Sequence, residues 1–229
     1  MNDKYIQDFN TALNIYENDY SHEDLIHFLK NGTDVEKQAA ALKIEKINTQ
    51  EEADIFISNL TGCDGKIREA ISFRLKEFIC EHPEFYINYS DKFIDAIVDI
   101  NGNICRNTIY ALQYLKEYSN FCHAFCAKLK DKTIPIAKSV EKFDIQEGKY
   151  KINKEVFKLY WYLETVCEYS EFFTTEDIRE IITAAKDISE YTIREKTAKI
   201  LSKIDRDEEL NKIIEKFKND SNYYVRRVS

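Results

Sequence analysis

Residues 64–79 read DGKIREAISFRLKEFI, and this stretch sets the pattern for most of the chain. Asp64 can cap a helix, because its carboxylate can accept hydrogen bonds from the unpaired N–H groups of the first turn. Gly65 permits a tight entry into that helix. The apolar residues that follow recur at helical spacing and share one face; they are Ile67, Ala70, Ile71, Leu75, Phe78 and Ile79. The stretch predicts an amphipathic helix with one buried face.

The same frame recurs along the sequence. With Ile67 as position zero, a polar cap stands at minus three and a leucine at plus eight. The leucines at plus eight are Leu42, Leu75, Leu112, Leu163 and Leu201, in steps of 33, 37, 51 and 38 residues. Steps of this length are typical of stacked helical hairpins. The sequence therefore predicts an all-α protein, an α–α superhelix (solenoid) of about five helical hairpins plus an N-terminal capping helix.

We expect one continuous repeat domain over residues 1–229, because each hairpin covers the apolar face of its neighbour. Its parts are a cap helix over 1–20, repeats over 21–48, 49–81, 85–119, 120–170 and 171–205, and a partial repeat over 206–229. The cap helix carries Tyr5, Ile6, Phe9, Leu13 and Tyr16, and a polar outer face is expected of it, since the ends of a solenoid meet water.

The fourth repeat is irregular, and its long step of 51 residues predicts an insertion. Helices are expected over 121–129 and 136–143, with an interruption at Thr133-Ile134-Pro135, because proline breaks a helix interior. A loop is expected over 146–151, followed by an inner helix over 153–169.

The composition is typical of a helical protein, and it also indicates the compartment in which the protein is expected. Gly and Pro number only five and two, whereas 15 Tyr and 14 Phe supply ample apolar surface for a core. The N-terminus lacks the basic-then-apolar plan of a signal peptide, and no apolar run reaches the length of a membrane span. Six cysteines without a leader are expected to be reduced thiols. We therefore expect a cytoplasmic protein with no membrane partner.

The net charge of −8 is uneven, because residues 1–60 hold 12 acids and 5 Lys or Arg. An acidic surface repels phosphate, so nucleic acid is not an expected partner of this part of the chain.

Three stretches resemble the HEAT and HEAT-like (armadillo-type) family of helical repeats. They are Asp64…Ile67-Arg68…Ala70…Leu75, Glu190…Ile193-Arg194…Ala198…Leu201 and Asn222…Val225-Arg226-Arg227. The resemblance covers about residues 21–229, with the fourth repeat poorly matched, and other arrays of paired helices stay possible. It implies a superhelix whose second helices line a concave face. It also implies that Arg68, Arg194 and Arg226 pair with acids across repeats.

The best candidate site comes from the frame itself. Positions plus two, plus six and plus nine point away from the apolar face, and plus six holds Ala40, Phe73, Tyr110, Trp161 and Lys199. Three consecutive repeats thus place an aromatic ring where a solvated residue is expected. With Lys76, Arg106 and Gln113 beside them, Phe73, Tyr110 and Trp161 are the anchors typical of a protein interface. The alternative is that these rings pack between adjacent inner helices.

No nucleophile elbow, phosphate loop or dinucleotide fingerprint occurs in the sequence, so no catalytic residue or cofactor is expected. Cys122 and Cys126 lie one helical turn apart, but we expect buried thiols there and no metal.

Two functions fit the sequence. The first is a non-enzymatic scaffold or adaptor, a monomer that binds a protein or peptide on its concave face. The alternative is an enzyme with the HEAT-like fold, of the DNA alkylpurine glycosylase or phycobilin lyase type. A glycosylase needs an aromatic-walled pocket with a carboxylate in a basic groove, and Tyr160, Trp161 and Glu164 near the Lys-rich residues 128–158 are the candidates.

Overall fold

The computed structural model describes the backbone of residues 3–141 and 149–229 and the side chains of residues 3–140 and 154–229. Those residues form thirteen α-helices and three short 3-10 turns, with no strand among them. The all-α class predicted from the sequence is confirmed. The chain divides into two compact units, residues 1–118 and 119–229, and each is described by itself. One continuous repeat domain stays a prediction.

Unit 1, residues 1–118, contains seven of these helices. They are α1 (Asp3–Glu17), α2 (His22–Asn31), α3 (Asp34–Lys43), α4 (Gln50–Ser58), α5 (Gly65–Glu81), α6 (Ser90–Ala96) and α7 (Gly102–Leu112), with 3-10 turns at Pro83–Phe85 and Gln113–Leu115. Helices α1, α3, α5 and α7 contact one another in succession. Helix α2 also packs on α3 and α4, and α6 packs on α7. Each of the three segments predicted as hairpins in this unit contains two helices.

Helix starts in unit 1 follow the capping residues in the sequence. Ser21 and Thr33 each form a reciprocal capping box with the residue three positions on, which fixes the starts of α2 and α3. Asp64 accepts a hydrogen bond of 2.8 Å from the backbone N–H of Lys66, as the opening stretch predicts. The apolar face of α5 is buried, and Phe78 packs edge-on against Phe56 of α4 at 5.0 Å between ring centroids.

The cap helix differs from the prediction. Helix α1 contacts α3, and Ile15 is its buried residue. The apolar residues expected to be covered are instead exposed, at 39–66% of their surface; they are Tyr5, Ile6, Phe9, Leu13 and Tyr16. The expectation of a polar outer face is wrong, because α1 packs on α3 through Ile15 and leaves this stripe uncovered.

Unit 2, residues 119–229, contains six helices. They are α8 (Ser119–Glu141), α9 (Lys149–Glu168), α10 (Thr175–Ala185), α11 (Tyr191–Lys203), α12 (Glu208–Lys218) and α13 (Tyr223–Val228), with a 3-10 turn at Ser170–Phe172. Helices α9, α11 and α13 contact one another in succession. Helices α8, α10 and α12 pack on α9, α11 and α13 respectively, and α8 also packs on α10.

The interruption predicted at Thr133-Ile134-Pro135 is wrong, since α8 runs through Pro135 as one helix of 23 residues. Pro135 is exposed, so the carbonyl that it leaves without an N–H partner is on the solvent side of the helix. The long step of the fourth repeat coincides with two long helices, α8 of 23 residues and α9 of 20 residues. Of the predicted loop over 146–151, residues 149–151 belong to α9, and the remainder lies outside the described residues.

One interaction recurs in both units at the start of a second helix. Arg68 of α5 pairs with Asp99, which precedes α7, and Arg194 of α11 pairs with Asp220, which precedes α13. These are two of the three Arg–acid pairs that the resemblance implies. The third arginine, Arg226, instead donates to the backbone carbonyls of Asp220 and Ser221, at 2.6 and 2.9 Å.

Candidate functional site

Phe73 and Tyr110 lie on neighbouring helices of unit 1, and both rings project into solvent. Phe73 of α5 is 68% exposed and Tyr110 of α7 is 55% exposed. Frame position plus six predicts this exposure, so packing between the inner helices is not what the structure shows for these two rings. No exposed ring continues this pair onto α3, because frame position plus six of α3 is Ala40, which is buried.

Lys76 connects the two helices beside these rings. Its Nζ donates to the hydroxyl of Tyr110 at 3.3 Å and lies 4.7 Å from the Tyr110 ring centroid and 5.6 Å from that of Tyr114. The hydrogen bonds that Lys76 donates to Tyr110 and then to Tyr114 raise the pKa of Lys76 above its ordinary value. The ammonium is therefore charged at neutral pH and is held over aromatic faces, an arrangement stabilised by cation–π attraction.

Polar side chains order the surface on the other side of Phe73. Arg106 is exposed and donates to the amide oxygen of Asn103 at 3.3 Å. Asn103 in turn donates to a carboxylate oxygen of Glu69 at 3.2 Å, which joins α7 to α5. Gln113, predicted to flank the rings, lies in the 3-10 turn after α7 and donates to the carbonyl of Ile109 in α7 at 3.4 Å.

A groove of about 370 Å³ crosses α3, α5 and α7 beside Phe73. Its polar lining is Gln38, Lys66, Glu69, Asn103 and Asn107. Lys66 and Asn103 occupy frame position minus one, and Asn107 occupies plus three. The sequence interpretation missed these residues, although minus one continues the same helical stripe as plus two and plus six and could have been found by that spacing.

We use the name aromatic face for Phe73, Lys76, Arg106, Tyr110 and Tyr114. Tyr114 is 36% exposed, and with Phe73 and Tyr110 it leaves roughly 300 Å² of ring surface in water, taking about 200 Å² for each whole side chain. An exposed apolar patch of a few hundred Å² is of the size that often marks an interaction site. The face combines flat apolar anchors with two cations and has the composition of an interface core and rim.

Trp161 is placed differently from the other predicted anchors. It belongs to α9 of unit 2 and is only 9% exposed, with edge-on contacts to Phe157 at 6.2 Å and Tyr160 at 5.2 Å. Its indole N–H is buried without a hydrogen-bond partner among the described residues. The expected exposure of Trp161 is therefore wrong, because frame position plus six in the fourth repeat faces other aromatic rings.

Two of the residues considered for a glycosylase, Tyr160 and Glu164, are in contact with lysines of α11. Glu164 accepts from Lys196 at 2.7 Å and from Lys199 at 3.2 Å, and the Lys196 Nζ lies 4.7 Å from the Tyr160 ring centroid. Burial alone would raise the pKa of Glu164, but the hydrogen bond and charge of Lys196, with the charge of Lys199, lower it below its ordinary value. Glu164 is thus held ionised in an ion pair between α9 and α11.

The structure also bears on the cysteine pair, on metal sites and on membrane-spanning helices. Cys122 and Cys126 are buried thiols, and within residues 3–140 and 154–229 no group of three His, Cys, Asp or Glu is arranged to hold a metal ion. Among the helices of the described chain, none has both the length and the apolar character needed to cross a bilayer.

No protein-family model matches the sequence, and no curated protein sequence matches it.

Proposed function

We propose that the protein is a non-enzymatic scaffold or adaptor that binds a protein or peptide partner on the aromatic face of unit 1. The observation that carries the proposal is the exposure of Phe73 and Tyr110 on adjacent helices, with Lys76 held against the Tyr110 ring. Burying such a ring is favourable by about 2 kcal/mol, so a partner that covers both rings would gain this free energy for each of them.

The local geometry also suits recognition. Arg106 and Lys76 offer charged donors at the edges of the rings, and the groove beside Phe73 offers amide groups of Asn103 and Asn107. Aromatic and Arg side chains supply most of the binding energy in protein interfaces, while polar groups around them set orientation. Because these groups are ordered by bonds between α5 and α7, little entropy is lost when a partner binds.

The proposed architecture is a HEAT-like (armadillo-type) superhelix, with the aromatic face on the concave side. The succession of contacts from α1 to α7, the separate succession from α9 to α13 and the repeated Arg–Asp pair support this arrangement. A cytoplasmic location is part of the proposal. It is supported by the exposed thiol of Cys80, since a reducing compartment preserves such a group.

Capture from a lysate of the source organism tests the proposal with three baits. These are the wild type, the Phe73→Ala/Tyr110→Ala variant, and a matched control, Tyr223→Ala/Tyr224→Ala, which removes two exposed rings from unit 2. We expect one protein to be retained by the wild type and the control and lost from the face variant. The captured protein is then purified, and its Kd for the face variant is expected to rise at least about 30-fold, from two lost anchors of about 1 kcal/mol or more each.

Both variants replace exposed side chains, so helicity and unfolding midpoints are expected to match the wild type. Equal binding of the purified partner by the wild type and the folded face variant would contradict the proposal. Trp161 is left unchanged in this test, because alanine at a buried tryptophan would open a cavity.

A further inference from the structure

The exposed residues of α1 include four apolar residues with heptad spacing. Ile6, Phe9, Leu13 and Tyr16 are spaced by three, four and three residues, which are the a and d positions of two heptads. They are 43, 58, 39 and 51% exposed, so the whole repeat lies open to solvent. We name these four residues the α1 stripe. The stripe stays exposed although α1 contacts α3, and Phe9 borders a groove that Asp34, Val35 and Gln38 of α3 also line.

The helix that carries the stripe is held in place from its other side. Ile15 is buried, and the Nζ of Lys43 on α3 donates to the carbonyls of Ile15 at 2.6 Å and Asn18 at 2.5 Å. The positive charge thus sits at the C-terminal end of α1, where it stabilises the helix. An isolated helix of this length would be only marginally stable in water. Because α1 is already folded on α3, association does not have to supply the free energy of forming the helix.

We propose that a second copy of this chain covers the α1 stripe, so that two α1 helices pair in a dimer. A heptad stripe is complementary to another stripe with the same spacing, because each a or d side chain fits between residues of the facing helix. The stripe of a second copy meets that requirement with its own Ile6, Phe9, Leu13 and Tyr16. The dimer would replace the monomer expected from the sequence.

The available surface is sufficient for such a contact. Phe9, Tyr16 and the adjacent Tyr5, which is 66% exposed, leave roughly 350 Å² of ring surface in water per copy, taking about 200 Å² for each whole side chain. Two copies would bury about 700 Å² from these rings alone. Ile6 and Leu13, with the polar residues around the stripe, bring the total to about the 1,000 Å² that a specific interface needs.

Charge disfavours an anionic lipid surface as the occupant of the α1 stripe, and one flank of the stripe carries no charge. The flanking e and g positions, which select partners by charge in coiled coils, hold Asp3, Asn10 and Glu17 on one side and Tyr5 and Ala12 on the other. The second flank has no charge with which to select a different helix. Unit 1 as a whole has 21 Asp and Glu against 12 Lys and Arg, a net charge of −9, which repels anionic lipid surfaces.

The same net charge makes a specific prediction about salt. Two units of −9 repel each other, whereas the contact between the stripes is apolar, so screening should strengthen self-association. The full chain is examined by sedimentation equilibrium between about 1 and 100 μM, at about 50 and 500 mM NaCl. We expect the mass to rise from 27.1 kDa towards twice that value, with the dissociation constant falling several-fold at the higher salt.

The Phe9→Glu/Leu13→Glu variant tests the surface, and Phe73→Glu/Tyr110→Glu is the matched control on the aromatic face. Both replace exposed side chains on helices, so both are expected to keep the wild-type helicity. We expect the α1 variant to stay at 27.1 kDa at all concentrations and the control to dimerise as the wild type does. A wild type that stays monomeric at about 100 μM in high salt, or an α1 variant that dimerises equally well, would overturn the proposal.

Discussion

Arg68 and Asp99 form a two-point ion pair between successive helical hairpins of unit 1. The Arg68 Nε lies 2.6 Å from one carboxylate oxygen of Asp99, and its Nη2 lies 3.3 Å from the other. In unit 2 the pair Arg194–Asp220 repeats this arrangement at 2.7 and 3.2 Å. In both corners the carboxylate also accepts from a backbone N–H two residues on, that of Asn101 or Asn222. The pair therefore fixes the start of the following helix as well as the contact between hairpins.

Replacing Arg68 by alanine should lower the free energy of unfolding by about 2 kcal/mol, because Asp99 would stay 10% exposed without its charge-assisted partner. The Asp99→Ala variant should cost a similar amount. In the double variant the loss should be smaller than the sum, by about 1 kcal/mol or more of coupling. Urea unfolding of the four proteins measures this cycle.

The matched control for this cycle is Lys30→Ala, which breaks the exposed pair with Glu51 at 3.7 Å. Its effect should be within about 0.5 kcal/mol, because exposed ion pairs contribute little. Additive effects of the two alanine substitutions at Arg68 and Asp99 would contradict a direct coupling.

Asp220 should make the stability of the protein depend on acid pH. The hydrogen bond and the charge of Arg194 lower the pKa of Asp220 from its ordinary value of 3.8. Since the folded pKa is depressed, the stabilisation is fully present above pH 3.8 and is lost as the pH falls through the lower folded value. The Asp220→Asn variant should be less stable than the wild type at pH 7, and the difference should shrink below about pH 4.

Urea midpoints between pH 7 and pH 3 measure this difference, with Asp205→Asn as an exposed control in the same unit. A difference between wild type and Asp220→Asn that stays constant down to pH 3 would show that Asp220 does not titrate in this window.

The sequence predicted the helices, their caps and the exposed rings of unit 1, because helix caps and helical spacing depend only on residues close together in the chain. Asp64 and the apolar face of α5 follow from one helical repeat, and so does the exposure of Phe73 and Tyr110. What spacing cannot give is which neighbour covers a face. The stripe of α1 has the pattern of a buried face yet lies in solvent, whereas Trp161 fits an exposed position and is buried by Phe157 and Tyr160. Both depend on contacts between helices, which local periodicity does not encode.

Two glycines near the start of α5 should respond in opposite ways to alanine. Gly62 has a φ of +77°, a conformation that costs an L-residue about 1 kcal/mol, and a Cβ there would touch nothing within 4 Å. Gly62→Ala should therefore lower the unfolding free energy by about 1 kcal/mol through backbone strain alone. At Gly65 a Cβ would approach only the Arg68 side chain, at 3.9 Å, so Gly65→Ala should be neutral or stabilise by about 0.5 kcal/mol. Urea unfolding of both variants decides the matter, and equal effects would argue against the left-handed turn at Gly62.

Replacing Pro135 by alanine should stabilise the protein, because α8 runs through this position as a continuous helix. Alanine restores an N–H that can bond the carbonyl of Asp131 one turn earlier, and it removes the clash of the ring with that carbonyl. The gain is opposed by the greater freedom of the unfolded chain, so the net effect should be about 1 to 2 kcal/mol. Urea unfolding followed by helical circular dichroism measures it, with Lys138→Ala as an exposed control in the same helix. If residues 133–135 instead separated two helices, alanine would remove a favourable helix stop, and the variant would be no more stable than the control.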